Sequence, residues 1–214
     1  MPAAPHAPNR SRRARRLLLF TLVAVILAAL VGGVSLARWR ALALVHPARS
    51  AVTQTPADYG IPDWEDITLA TADGLTLPGW FVQPVADAPT IVFVHGYAGN
   101  RGDLLPLAGP LVTEGYGALL FDLRNHGESD GHITTLGYLE TYDVQAAVAY
   151  LHTRPDVNLD QLALVGHSMG AATALRAAAR LPEIRAVAAI SGYSSIQDNV
   201  AEAVYKLTGL PSFP

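Results

Sequence analysis

The chain has 214 residues, 50% of them hydrophobic and 15% charged, with a formal net charge of −3 and no cysteine. That length suffices for one domain with a sizeable core, and the lack of cysteine excludes disulfides and thiolate metal sites without identifying a compartment. The charge is unevenly spread: after Ser50 stand all 18 acidic residues and only seven basic ones, a balance of −11. Nucleic acid, whose phosphates require the opposite sign, is a poor partner for such a domain.

Residues 1–8, with Pro2, Pro5 and Pro8, read as a disordered tail. Asn9 to Arg16 carries five arginines and no acid, and Leu17 to Ala37 is uncharged throughout. About 20 residues at roughly 1.5 Å each span a hydrocarbon core of about 30 Å, so this stretch is a transmembrane candidate. The positive-inside rule then keeps the basic tail, residues 1–16, in the cytoplasm and sends the remainder to the extracytoplasmic side, with Trp39 at the interface. A cleaved signal peptide ending near Ala37, which would release a secreted protein, is the competing reading, since Ser35-Leu36-Ala37 offers small residues for cleavage. The apolar stretch exceeds the roughly 7 to 15 residues of a signal core, and on that criterion a retained anchor is expected.

Residues 38–60 read as a juxtamembrane linker, helical around ALALV and then broken by Pro47 and Pro56, ahead of a domain at 61–214. Asp66 to Thr71 and Leu75 to Pro84, joined by Ala72-Asp73-Gly74, predict an antiparallel hairpin. Pro89 to Gly96 is an apolar run that suits a strand buried on both faces. Alternation follows: a helix at Asp103 to Glu114, a strand at Tyr116 to Asp122, a helix at Leu136 to His152, a strand at Gln161 to Gly166, a helix at Met169 to Leu181 and a strand at Ile184 to Ser191. Strands alternating with helices predict an α/β fold, a mostly parallel sheet covered on both faces.

Gly166-His167-Ser168-Met169-Gly170 closes one predicted strand and opens one predicted helix. A Gly-x-Ser-x-Gly match alone is weak, but strand-turn-helix is the setting of a nucleophile elbow, in which small residues on either side of the serine let strand and helix approach. The helix start aims free N–H groups at charge developing during attack. His95-Gly96-Tyr97 follows the earlier buried strand, where the Tyr97 N–H can stand beside that of Met169 as an oxyanion hole.

These pieces resemble the α/β-hydrolase fold. Thr55 to Pro84, IVFVHGYAGNRGD, FDLRNHGESDG and LALVGHSMG together resemble the membrane-anchored or secreted serine hydrolases of the esterase, lysophospholipase and serine-aminopeptidase-like branch. The likeness covers about Ala41 to the C-terminus. It implies a nucleophile at Ser168, oxyanion donors at the Tyr97 and Met169 backbone, and a small-molecule, lipid or peptide ester or amide as substrate. No metal or organic cofactor is implied.

In that fold the acid and the histidine follow the nucleophile in chain order. After Ser168 there is no histidine, and the acids are Glu183, Asp198 and Glu202. The expectation is a C-terminally truncated hydrolase, since a bare apolar edge at Ile184 to Ser191 is a fault that a finished domain avoids. The alternative is a non-catalytic binding or scaffold relative. Upstream, His126 and His95 read as turn histidines rather than bases, His167 as structural, and His132 and His152 lack a motif. Asp198 reads as a helix-cap residue and Asp122 as a cap on its own loop.

Overall fold

The computed structural model describes residues 10–209, so the proline-bearing tail at 1–8 lies outside the described residues. The chain divides into two units, Met1–Leu44 and Val45–Pro214.

The first unit is built on one helix, α1 (Arg10–Val45), whose 36 residues extend about 54 Å at roughly 1.5 Å each. Its exposed apolar side chains give an 18-residue window of mean hydropathy 2.8. By length and composition it can cross a membrane, a test that a signal sequence near the N-terminus also passes. Pro47, which cannot continue an intrahelical hydrogen-bond ladder, follows its end.

In the second unit, β1 (Glu65–Ala70) and β2 (Thr76–Val82) form the expected hairpin. After it come β3 (Thr90–Val94), α2 (Leu105–Thr113), β4 (Gly117–Phe121), α3 (Thr141–Leu151), β5 (Leu162–His167), α4 (Met169–Ala178), β6 (Ile184–Ile190) and α5 (Ile196–Thr208). The sheet runs in the order β1-β2-β4-β3-β5-β6. The hairpin joins it antiparallel, and β4, β3, β5 and β6 are mutually parallel.

Side chains alternate across the sheet with period 2, which is why β3 and β4 read as unbroken apolar runs. Phe81, Val92, Val94, Leu119 and Phe121 face α3 and α4, while Trp80, Ile91, Phe93, Ala118 and Leu120 face α2. Phe81, Phe93 and Phe121 are fully buried, each contributing about 2 kcal/mol relative to exposure. β6 is an edge strand with largely exposed side chains, Ile190 at 38%.

The helix expected from Leu136 begins at Thr141 instead. Leu136 and Gly137 have φ of 55° and 93°, outside helical space. The buried Glu140 carboxylate holds that turn, accepting from the Thr135 N–H at 2.7 Å, the Thr135 hydroxyl at 2.6 Å and the Gly137 N–H at 2.8 Å. α4 stops at Ala178 rather than Leu181, because the Arg180 and Leu181 N–H groups bond three residues back, to Ala177 and Ala178. The segment read as a linker is fastened to the domain: Pro56 is buried, and the Asn100 amide donates to the Ser50 hydroxyl at 3.2 Å and the Ala51 carbonyl at 3.1 Å.

Candidate active site

The sheet register assembles the site. Val94 on β3 pairs with Gly166 on β5, so three residues beyond each strand position stand Tyr97 and Met169. The two strands therefore deliver both expected donors to the same sheet edge, the C-terminal one, where α/β proteins bind ligands. A methyl group on Gly96 would lie 3.5 Å from the Ser168 Cβ, so the turn after β3 packs directly against the serine.

The elbow depends on its two glycines. A Cβ on Gly166 would stand 2.7 Å from the Ala171 Cα, and one on Gly170 would stand 2.6 Å from the Val94 carbonyl carbon. Neither distance permits a side chain, so the helix start can sit on the strand ends only with glycine at both positions.

Ser168 occupies φ 53°, ψ −116°, a conformation that L-residues rarely adopt. Its N–H donates to the Ile190 carbonyl at 2.8 Å, and its carbonyl accepts from Ala171 at 3.1 Å. Such strain costs on the order of 1 to 3 kcal/mol and persists only where surrounding structure enforces it. Ser168→Gly should therefore melt above Ser168→Ala by about 2–4 °C, a gain of about 1 kcal/mol in a domain of this size. Differential scanning calorimetry of the two variants checks it, and a lower midpoint for the glycine variant would remove the strain argument.

Met169, the first residue of α4, has no intrahelical carbonyl for its N–H. Behind the turn that carries Tyr97, His95 is buried and spends both ring nitrogens on backbone: Nδ1 donates to the Gly96 carbonyl at 2.7 Å, and Nε2 accepts from the Leu123 N–H at 3.0 Å. Burial, then the neighbouring His126, hold its pKa down to about 3. His126 is equally buried, with Nδ1 donating to the Arg124 carbonyl at 2.8 Å, and its pKa is lowered chiefly by burial. Its ring packs edge-on against those of His95 and Tyr97, at 5.2 and 6.2 Å between centroids. The two histidines thus stay neutral and shape the turn.

The loop after β4 is organised by buried charge. Asp122 accepts from the Arg101 N–H at 2.6 Å, the Arg101 guanidinium at 2.5 Å and the Glu128 N–H at 2.9 Å, which is loop capping. Arg124 bridges Asp143, at 2.9 Å from Nε, and Asp73, at 2.8 and 3.0 Å. Burial pushes the Asp143 carboxyl up to about 7 against the pull of Arg124. Burial also opposes the Arg124 charge, but two carboxylates outweigh it and raise its pKa, whereas Asp143 has only one guanidinium.

Among the described residues, no histidine bonds the Ser168 hydroxyl. His167 and His132 are exposed, and His152 faces Glu183 at 3.5 Å. Asp198 stands in the first turn of α5, where its N–H donates to the Ser195 hydroxyl at 3.0 Å and its carboxylate accepts from that hydroxyl at 2.8 Å. Sequence reading passed over Glu140, the Arg124 bridge and Tyr193, whose hydroxyl donates to the Leu136 carbonyl at 2.6 Å. The Arg124 bridge and the Tyr193 bond pair distant segments, while Glu140 folds back within its own turn, and none of the three has a periodic pattern to announce it.

A family model for the alpha/beta hydrolase fold matches residues 89–214, more than half of the chain. The protein YfhR of Salmonella typhimurium is 34% identical over 140 residues, 63% of this chain and 46% of that one. The alpha/beta hydrolase domain-containing protein WAV2 of Arabidopsis thaliana is 31% identical over 121 residues, 55% of this chain and 38% of its own length. The chain thus spans less than half the length of these two relatives. The Pyrococcus furiosus esterase Pf2001 superimposes with a TM-score of 0.70 at 31% identity, covering 78% of this chain and 63% of the esterase. Sheet order, elbow geometry and the family match agree, and the chain belongs to the α/β-hydrolase fold family.

Proposed function

We propose that Ser168 is the nucleophile of a hydrolase that cleaves carboxylic esters or amides through an acyl-enzyme. One observation carries this reading: a serine held at φ 53° on a strand-to-helix elbow, its Cβ packed against the turn that bears Tyr97. The similarity to an esterase supports esters first.

The Ser168 oxygen attacks the substrate carbonyl carbon while its proton passes to a base, and the oxyanion is held by the Tyr97 and Met169 N–H groups. The C–O bond then breaks, the alcohol departs with that proton, and water cleaves the acyl-serine to give the acid and free serine. The base is assigned to none of the described histidines: His95 and His126 donate to backbone carbonyls, and His132 and His167 are exposed. The hydrolase domain stands on the extracytoplasmic side, behind α1 as a single-pass membrane anchor, a topology supported by the arginines before Leu17.

The test is turnover of p-nitrophenyl butyrate by the full-length protein in washed membranes. Ser168→Ala should lower kcat by at least about 10³-fold. Equal turnover in the alanine variant would end this reading, and an inactive, folded wild type would favour the scaffold alternative. A retained anchor leaves the activity in carbonate-washed membranes, whereas a cleaved signal leaves it soluble.

A further inference from the structure

The loop after β4 turns through left-handed backbone at Asn125, Gly127 and Gly131, with φ of 60°, 47° and 110°. Three of its carbonyls converge on one side chain from far away in sequence. Arg49 Nη1 donates to Ser129 at 2.5 Å and more weakly to Gly127 at 3.5 Å, and Nη2 donates to Gly131 at 2.9 Å. A planar guanidinium with five fixed donors can serve several carbonyls at once, which an ammonium cannot match.

Residues near Arg49 continue the attachment. The Val45 carbonyl accepts from the Thr134 N–H at 2.8 Å and from the Asn125 amide at 3.4 Å. On the other side, the Asn100 amide holds Ser50 and Ala51. Residues 45–51 therefore form a strap across the two loops that leave β3 and β4 at the site edge. The β4 loop also carries His126, whose buried Nε2 has no hydrogen-bond partner among the described residues. From the site side that ring is held by packing on His95 and Tyr97, so its position follows the backbone of its own loop.

We infer that Arg49 is a positioning residue for the proposed reaction: by clamping Gly127, Ser129 and Gly131 it seats His126 behind Tyr97 and so fixes the oxyanion turn. The inference rests on the reading of Ser168 as nucleophile. Arg49 touches neither substrate nor reacting atoms in this scheme; it acts through the loop. Displacing an oxyanion donor weakens an interaction made in the transition state, so the effect falls on kcat rather than KM.

The experiment compares Arg49→Gln, Arg49→Lys and Ser168→Ala in the full-length protein, with p-nitrophenyl butyrate as probe. Arg49→Gln should lose about 10-fold in kcat with KM within about twofold, and Arg49→Lys should recover part of that loss. An unchanged kcat in Arg49→Gln, with or without a lower melting temperature, would reduce Arg49 to a structural fastener and overturn the inference. If Arg49→Gln does not fold, Asn100→Ala loosens the same strap from its other side. There a kcat loss of a few-fold supports the inference, and an unchanged kcat overturns it. Ser168→Ala separates the two claims, because turnover surviving there refutes the nucleophile assignment rather than the strap.

Discussion

Gly170→Ala should cost more than about 4 kcal/mol and leave little soluble protein, an effect at the extreme of single substitutions. Overpacking a core usually costs about 1 to 3 kcal/mol because neighbouring side chains can change rotamer. Here the new methyl meets backbone, the carbonyls of Val94 and His95, at the end of the central strand β3. Moving β3 would break its pairing with β4 and β5 on either side. The alternative, lifting α4 off the sheet, would uncover Met169 and Ala174, both buried in the core. Urea unfolding measures the effect, and a midpoint matching the wild type would show that the elbow tolerates a side chain there.

Arg124→Met is the second large effect, an expected loss of about 3 to 5 kcal/mol, because it strands a charge that has no access to water. The Asp143 side chain is fully buried, and with Arg124 gone it keeps the backbone N–H of residue 124 at 2.9 Å. Adding Asp143→Asn should recover about half of the loss, since the remaining group is then neutral. The pH dependence has a definite sign. The folded pKa of Asp143, about 7 in the wild type, lies above the unfolded value and rises further without the guanidinium. Its contribution is therefore full below about pH 4 and lost as pH rises through the folded pKa. Arg124→Met should gain stability between pH 8 and pH 6, and the double variant should lack that gain. A flat profile in the single variant would mean that Asp143 reaches solvent.

What the sequence made legible follows from how the signals arise. β3 and β4 are buried on both faces, so Ile91 to Val94 and Ala118 to Phe121 are apolar without interruption, and their identity survives any uncertainty about neighbours. The elbow is legible because steric need leaves no choice at Gly166 and Gly170. The start of α3 was missed because Glu140, inside an apparently helical pattern, instead bonds backward to Thr135 and Gly137. Arg49 is invisible to local reading: its partners lie 78 to 82 residues away, and an arginine after an apolar stretch reads as a membrane-flanking charge. The Arg124 bridge fails for the same reason, since Asp73 and Asp143 belong to different elements and share no spacing with it.

The proposed hydrolysis requires that Ser168 be chemically reactive. Incubating the full-length protein with a fluorophosphonate and mapping the adduct by peptide mass spectrometry tests this most directly. The serine oxygen displaces fluoride at phosphorus, so a stoichiometric adduct on Ser168, absent from Ser168→Ala, is the predicted result. A folded wild-type protein that stays unlabelled, or one labelled at another residue with Ser168 unmodified, would contradict the assignment of Ser168 as the nucleophile.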